Sequence, residues 1–425
     1  DVCSSDLISV LKDAASAAIY GSRAANGVIL ITTKRADKGK FAVTYRGYVG
    51  WQSPVVYPDV VNAEEYMHLS RRASENDGAV SLYTDEYIAN YRRNNYLDPD
   101  AYPIIDWQDQ LMTGNGFTHN HTLSMSAGSE RIRVMTSLGY LDQNGIIKNA
   151  NFKRYNLRNN MDIRMNDRLN FRLDIAATYS RRAANPYQSS VFGFMNSKDP
   201  LMLAQWSDGS YAPFTGGTVN PLPMIEQGVG GNNIRQNGVL KASAALEYKP
   251  VQWLTLEVKA APQLTAVKTH RFVDLVEYHS DPYGTVSKTS NAEYNSLDET
   301  VTAAWNGYYH ATAAATRQFG GHSFKLLVGA SYEEYDYYSL GAYRQEFAYP
   351  DYEVISAGGD NEFKDNSGSR TQMALGSFFG RINYNFKERY LFEANLRYDG
   401  SSRFVRKNRW SALPSFSAAW RVTEA

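Results

Sequence analysis

The sequence contains one cysteine, Cys3, so an intrachain disulfide framework and a multi-cysteine zinc site are both excluded. It also lacks a dominant charge: lysine plus arginine and aspartate plus glutamate number 44 each. Without a net basic field there is nothing to hold a phosphate backbone, and no nucleic-acid partner is expected. Long apolar runs are missing too. The stretch at 28–31 comes nearest, far short of the ~18 residues a membrane-spanning helix needs. That leaves a membrane β-barrel open, because a barrel strand hides its apolar face in every second residue. No signal peptide opens the chain. It starts at Asp1, and DVCSSDL (1–7) matches no start pattern. The expectation is part of a longer protein, with the nativeness of 1–7 left open.

Apolar residues make up 43% of the chain, too many for a disordered segment. The aromatics are weighted to tyrosine, with 31 Tyr against 18 Phe and 7 Trp. A ring with a polar tip suits surfaces that are half wet, and a membrane–water interface is one of these.

Near the start, LKDAASAAIYGSRAANGVILITTKR (11–35) raises the question of a phosphate loop. A phosphate cradle needs strand, glycine turn and then helix, so that helix N-terminal N–H groups meet the anion. Here the alanine-rich helix candidate, 11–20, comes first and Gly21 is placed to end it. Asn26-Gly27 reads as a tight turn and VILITT (28–33) as a buried strand. Nucleotide binding is set aside in favour of a helix–turn–strand piece of an α/β module.

Past Lys40 the pattern becomes long alternating strands. In 169–180, Leu169, Phe171, Leu173, Ile175, Ala177 and Tyr179 fall on one face, with Asn170, Arg172 and Asp174 on the other. About twelve such strands follow from the alternation: 41–51, 117–128, 131–141, 153–165, 168–181, 237–249, 253–267, 303–318, 322–345, 371–386, 389–399 and 410–422. Short turns at 128–131, 165–168, 249–252, 319–322 and 386–389 alternate strictly with long links at 52–116, 142–152, 182–236, 268–302, 346–370 and 400–409. Short turns on one side and long loops on the other is the layout of an outer-membrane barrel. A soluble sandwich would have shorter strands and Greek-key links. Aromatics near the short turns, Tyr248 and Trp253, Phe386 and Tyr390, fit an interfacial girdle; ordinary cross-strand pairing would place them equally well.

Two stretches then become recognisable. LKDAASAAIYGSRAANGVILITTK resembles the end of the plug domain in SusC/RagA-type TonB-dependent outer-membrane transporters. LGSFFGRINYNFKERYLFEANLRYDGSSRF, with NRW and PSFSAAWRV after it, resembles a barrel segment of the same family. DWQDQLMTGNGFTHNHTLSMSAGSE and GYLDQNGIIK lie between them in the same order. The resemblance implies an all-β fold: an antiparallel transmembrane barrel of about 22 strands with a filled lumen, preceded here by the α/β tail of a plug. Residues 1–37 are expected to be that plug tail and 38–425 the first part of the barrel with long extracellular loops. It also implies nutrient import, of oligosaccharide or peptide, driven through TonB, with a SusD-like surface lipoprotein as partner. The TonB-contacting segment, most of the plug and about ten strands are not in this sequence. No cofactor, metal or catalysis is implied. Tyr20, Gly21, Arg23, Asn26 and Gly27 become candidates for shaping and fixing the plug.

Other chemistry was weighed against plainer readings. His119 and His121 could share a metal but have no third ligand at a supporting spacing. No G-x-S-x-G elbow appears, and no calcium loop emerges from 360–365 or 83–87. The long-loop aromatics Tyr187, Trp206, Tyr211, Phe214 and Tyr283 could stack on sugar rings or fold the loops onto the barrel rim. Lumen-side charges such as Arg158, Arg164, Arg172 and Asp174 read as plug contacts or wetted wall. A TonB-dependent receptor for a metal chelate, a passive porin-like barrel and a barrel enzyme stay as alternatives.

Overall fold

The structure is a computed structural model that describes residues 5–11, 21, 26–112, 115–213, 220–226, 228–289 and 292–422. Its main element is a 13-stranded antiparallel sheet. In chain order the strands are β3 (Phe41–Gln52), β4 (Gly116–Gly128), β5 (Ile132–Asn144), β6 (Asn151–Arg164), β7 (Leu169–Ala184), β8 (Gly231–Val251), β9 (Leu254–Ala260), β10 (Gln263–Val273), β13 (Ser296–Phe319), β14 (His322–Gln345), β15 (Asp365–Phe386), β16 (Tyr390–Ser401) and β17 (Trp410–Trp420). β9 and β10 both lie between β8 and β13, and the register is continuous across the break between them. They are halves of one crossing interrupted at Pro262, whose carbonyl accepts from the Ala242 N–H at 3.0 Å but which has no N–H to return. The wall therefore has twelve crossings, as the alternation predicts. β3 and β17 end the strand order, each paired on one side.

Most strands run longer than the sequence pattern required, with the extra length mainly on the long-link side; β14 keeps its expected bounds and β17 ends two residues short of them. β8 begins at Gly231 and not 237, β13 at Ser296 and not 303, and β15 at Asp365 and not 371. There the alternation breaks down because neither face meets lipid, so period 2 carries no signal. On the other side the turns are tight. Lys387 and Glu388 both have positive φ, 51° and 57°, the backbone of a type I′ hairpin without its usual glycine.

The two faces differ in chemistry. One carries Leu123, Leu138, Leu157, Ala177, Leu240 and Leu264 directly opposite one another across six strands. Aromatic rings border it: Phe386, Tyr390 and Trp420 at the short-turn edge, with centroids 6.5 and 6.3 Å apart, and Phe378, Trp410 and Tyr398 at the other, 6.1 and 5.0 Å apart. Within the band, the polar pair Asn159 and Thr136 satisfy each other at 2.8 Å, as a medium without water demands. Arg317 lies over the Trp253 ring at 4.4 Å, so this aromatic at the short-turn edge also anchors a cation. No helix is long and apolar enough to cross a membrane among the described residues; the crossing is made by strands.

Outside this sheet β11 (Glu277–His279) pairs with β12 (Val286–Thr289) in the fourth long link, and at the start of the chain a two-stranded hairpin pairs β1 (Ser5–Leu11) with β2 (Val28–Thr33). Two expectations change here. Leu11 closes a strand and does not open a helix; 12–20, where the rest of that helix was expected, lie outside the described residues. The VILITT strand is not buried throughout: Ile29 and Ile31 are 66% and 60% exposed, because a lone hairpin covers one face only.

The long links fold on their own cores. α1 (Ala63–Asn76), α2 (Asp85–Leu97) and α3 (Trp107–Leu111) occupy the first link and α4 (Val191–Ser197) the third. α1 starts at a capping box, with Asn62 accepting from the Glu65 N–H and the Glu65 carboxylate accepting from the Asn62 N–H. Trp107 and Leu111 pack with Ile147, Val191, Met195, Leu222 and Ile225, joining three links into a cap. A second cluster centres on Met67, Ile88 and Tyr91. Burial, then the carboxylate of Asp199, push the Tyr66 phenol on α1 up to about 12. The folded cap thus holds that proton more tightly than the unfolded chain. Its stabilising share is full below about pH 10 and is lost as pH rises through about 12. Proteolysis of the 59–110 segment is expected to accelerate over that window more in the native protein than in Tyr66→Phe; equal pH profiles would remove Tyr66 as the cause.

Candidate functional site

The second face of the sheet is polar, and the segment leading out of the hairpin is tied to it. Arg35, two residues past β2, reaches Asp162 on β6 at 2.8 Å and both carboxylate oxygens of Asp174 on β7 at 2.9 Å. Asn160 of β6 donates to the Lys34 carbonyl at 2.8 Å and to the Thr33 hydroxyl at 3.3 Å. Arg133 of β5 adds a second cation to Asp162 at 3.2 Å. These partners all have the strand parity opposite to Leu157, Met161 and Leu173. The hairpin side of the sheet is thus the lumen side, and the apolar side faces lipid.

At the far end of the wall, Gly21 sits against β16. A Cβ added there would lie 2.4 Å from Arg397 Nε and 2.6 Å from Asp399 Oδ2. Its φ is +72°, which glycine alone adopts freely. Arg397 and Asp399 are 5% and 6% exposed and bond each other at 2.6 Å. Arg397 also donates to the Ser377 hydroxyl at 2.9 Å and stacks over Phe379 at 5.3 Å. The first piece of the chain therefore touches the wall at β6–β7 and again at β16.

Between these points the lumen wall is a network of charge. Arg172 bridges Glu247 and Glu257 at 3.4 and 3.0 Å; His310 meets Glu257 at 3.0 Å. Arg381, Asn383 and Asn395 gather around Glu393. Arg158 donates to Asn160, and Arg164 pairs with Asp167 at the turn. Of the lumen charges picked from sequence, Asp174 holds the hairpin segment and the other three serve the wall itself. Arg35→Met is expected to free that segment, since charge-assisted hydrogen bonds are worth about 1.5–3 kcal/mol each. Amide hydrogen exchange at 28–40 should quicken by more than tenfold. Asp174→Asn should do less, because Asp162 keeps the guanidinium; an equal effect would contradict this division of labour.

Of the plug-motif residues, Gly21 is placed as above, and Tyr20 and Arg23 lie outside the described residues. Asn26 is exposed, ahead of Gly27, whose φ is +90° and whose added Cβ would meet the Leu11 carbonyl oxygen at 3.0 Å. The loop aromatics turn into the cap. The Trp206 indole donates to the His279 carbonyl at 2.7 Å. The Tyr211 hydroxyl donates to Glu226, and burial followed by that carboxylate pushes its pKa up. Tyr187 is half-buried beside Asn185, Tyr283 is exposed, and Phe214 lies outside the described residues. Trp206 and Tyr211 come together around Tyr278 and His279. His119 and His121 face the lipid side, 3.2 Å apart, with the Tyr45 hydroxyl 2.6 Å from His121. Among the described residues no group of three or more His, Cys, Asp or Glu could hold a metal.

Sequence reasoning passed over Arg35, Asp162, Arg397 and Asp399. A signal was available for the last two: in YLFEANLRYD the outward Tyr390, Phe392, Leu396 and Tyr398 leave Arg397 and Asp399 on the lumen face.

No family model matches the chain. It is 28% identical to TonB-dependent receptor P26 of Formosa agariphila, over 98% of this chain and 40% of that protein. It is 27% identical to TonB-dependent receptor SusC of Bacteroides thetaiotaomicron, over 99% of this chain and 41% of that one. The chain thus spans about two-fifths of the curated relatives it matches. Among solved structures it superposes on the RagAB peptide importer in its closed-closed state with a TM-score of 0.79, at 21% identity, over 98% of this chain and 48% of that chain. On the unliganded ferric citrate transporter FecA the TM-score is 0.51, at 8% identity, over 98% of this chain and 46% of that chain. The fold is that of an outer-membrane β-barrel wall. From end to end the chain is similar to SusC/RagA-type TonB-dependent receptors.

Proposed function

We propose, from this likeness in sequence and fold, that the chain is part of an active outer-membrane importer. Residues 1–37 form the last part of its plug and 38–425 the first part of its barrel. The supporting observation is the pair of contacts between the leading segment and the lumen wall, Arg35 on Asp162 and Asp174 and Gly21 against Arg397 and Asp399. A passive pore has no use for a segment that blocks its lumen and is held by bonds that can be broken singly. An importer does: substrate binds at the extracellular mouth, TonB pulls the plug from the periplasm, and a path opens. Nothing in the substrate is made or broken, and the relatives are named as receptors and importers, not enzymes.

The substrate we favour is an oligosaccharide, captured with a SusD-like surface lipoprotein that seats on the cap. The experiment is uptake of labelled oligosaccharides, peptides and a ferric chelate by cells carrying the protein, with and without an active TonB complex. TonB-dependent accumulation of oligosaccharide is expected. Accumulation without TonB would establish a passive barrel. TonB-dependent uptake of peptide alone, or of chelate alone, would reassign the substrate and leave the transport reading standing.

A further inference from the structure

Above the apolar band on the long-link side, the lipid-facing surface changes character in a fixed vertical order. The top of the band is a row of directly opposed residues: His121, Tyr140, Tyr155, Tyr179, Gly238 and Ala266. The rings of Tyr140 and Tyr155 lie 5.0 Å apart, and those of Tyr155 and Tyr179 6.4 Å. Beside them Gly238, Ala177 and Ala266 leave the surface low. The result is an apolar depression of about 820 Å³, floored by Leu157, Leu240 and Leu264, within the usual size of a small-molecule site.

One step higher, Lys153 and Arg181 are directly opposed across β6 and β7. Like charges placed so are destabilising unless an anion joins them. Lys153 has Asp142 at 3.4 Å. Arg181 has no hydrogen-bond or ion-pair partner among the described residues. It lines a second cavity, of about 660 Å³, together with Asn144, Asn149, Asn151, Asn185 and Asn232. The Oδ1 of Asn232 is buried there without a partner. The carboxylate in the same cavity, Glu226, is occupied by the Tyr211 hydroxyl. Apolar floor, aromatic belt, unmatched cation and cluster of amides thus stack along one line, from mid-membrane outwards.

We propose that this stack is a binding site for a phosphorylated glycolipid of the outer leaflet. Its acyl chains lie in the depression, its phosphate joins Arg181 and Lys153, and its sugar hydroxyls meet the asparagines. Each layer answers a part of that molecule in the order in which the molecule lies in the membrane. A soluble phosphate would leave the depression unused, and an uncharged lipid would leave Arg181 unmatched. The site is on the lipid side of the wall, away from the lumen, and does not depend on which nutrient passes.

The test is native mass spectrometry of the whole membrane-extracted protein in mild detergent, titrated with purified lipid A, its dephosphorylated form, its deacylated headgroup and inorganic phosphate. Lipid A is expected to bind at one site. Arg181→Gln should weaken it by about tenfold, the scale of a lost charge-assisted contact. Gly238→Leu should weaken it without changing charge. A Cβ there meets nothing nearer than the Ala266 carbonyl oxygen at 3.8 Å, so the variant fills the depression without straining the strand. Lys268→Gln, a cation two strands away on β10 with Glu299 at 2.5 Å, should change nothing. Equal binding of the deacylated headgroup or of inorganic phosphate would overturn the lipid assignment. Equal binding of the dephosphorylated lipid, or unchanged binding in Arg181→Gln and Gly238→Leu, would overturn the proposal.

Discussion

Leu173→Arg is expected to block assembly of the barrel, whereas Arg172→Leu, its immediate neighbour, is expected to assemble. The two side chains leave β7 in opposite directions. Leu173 lies midway along the apolar band that runs from Leu169 to Tyr179, and an arginine at that depth costs about 2–4 kcal/mol against lipid. A folded protein is stable by only about 5–15 kcal/mol, so a single such residue removes a large share. Arg172 sits in the wetted lumen beside Glu247 and Glu257. Its loss leaves Glu247 with Lys249 at 3.1 Å and Glu257 with His310 at 3.0 Å, so neither carboxylate is stranded. Heat-modifiable migration of the outer-membrane fraction on a gel reads both outcomes. Equal effects would reverse the assignment of lipid and lumen faces.

The second large effect is expected from Gly21→Val. Left-handed backbone costs a residue with a Cβ about 1–2 kcal/mol. The larger cost is steric, since the new atoms would enter the space of Arg397 and Asp399, a buried ion pair fixed by Ser377 and Phe379. Breaking such a pair from one side is more damaging than its net contribution suggests, because a charge is left uncompensated. Gly39→Val supplies the control. Its φ is +68°, yet nothing lies within 4 Å of its added Cβ, so it bears the conformational cost alone. Single-channel conductance in a planar bilayer should reveal a leaky lumen for Gly21→Val and a closed one for Gly39→Val. Two closed pores would mean that the contact with β16 does not hold the leading segment in the lumen.

The wall was legible because lipid imposes a rule that every strand obeys. Residues 155–164 and 169–180 alternate cleanly since one face meets hydrocarbon and the other water. Strict alternation of link length then places all turns of one kind on one side. The same rule explains where legibility stops. Above the membrane no solvent difference separates the faces, so Gly231–Gln236 and Asp365–Arg370 carry no period. The cap is built from contacts between links distant in sequence, such as Trp107 with Ile225, which no local pattern encodes. Its helix α1 does carry a local signal, Asn62 three residues before Glu65. The loop aromatics illustrate a different limit: Trp206 and Tyr211 look available for a ligand in sequence, and only their partners, the His279 carbonyl and Glu226, show what occupies them. Arg35 and Asp174 are 139 residues apart and meet because the segment after the leading hairpin lies against the polar face of the sheet that follows it.

The height of the wall has a consequence of its own. β14 holds 24 residues, and its outward apolar run from Phe324 to Tyr332 is broken by Glu334 and Asp336. The 13 residues beyond it, Glu333 to Gln345, rise roughly 30 Å above the bilayer at the usual strand rise and a tilt of about 40°. A partner anchored in the same leaflet by a lipid tail has to climb that distance before it can reach the mouth. At the reach of an extended chain, this calls for a tether of at least about nine residues ahead of its first folded element. The reach of that tether, and not affinity alone, would then set how often the partner finds the opening.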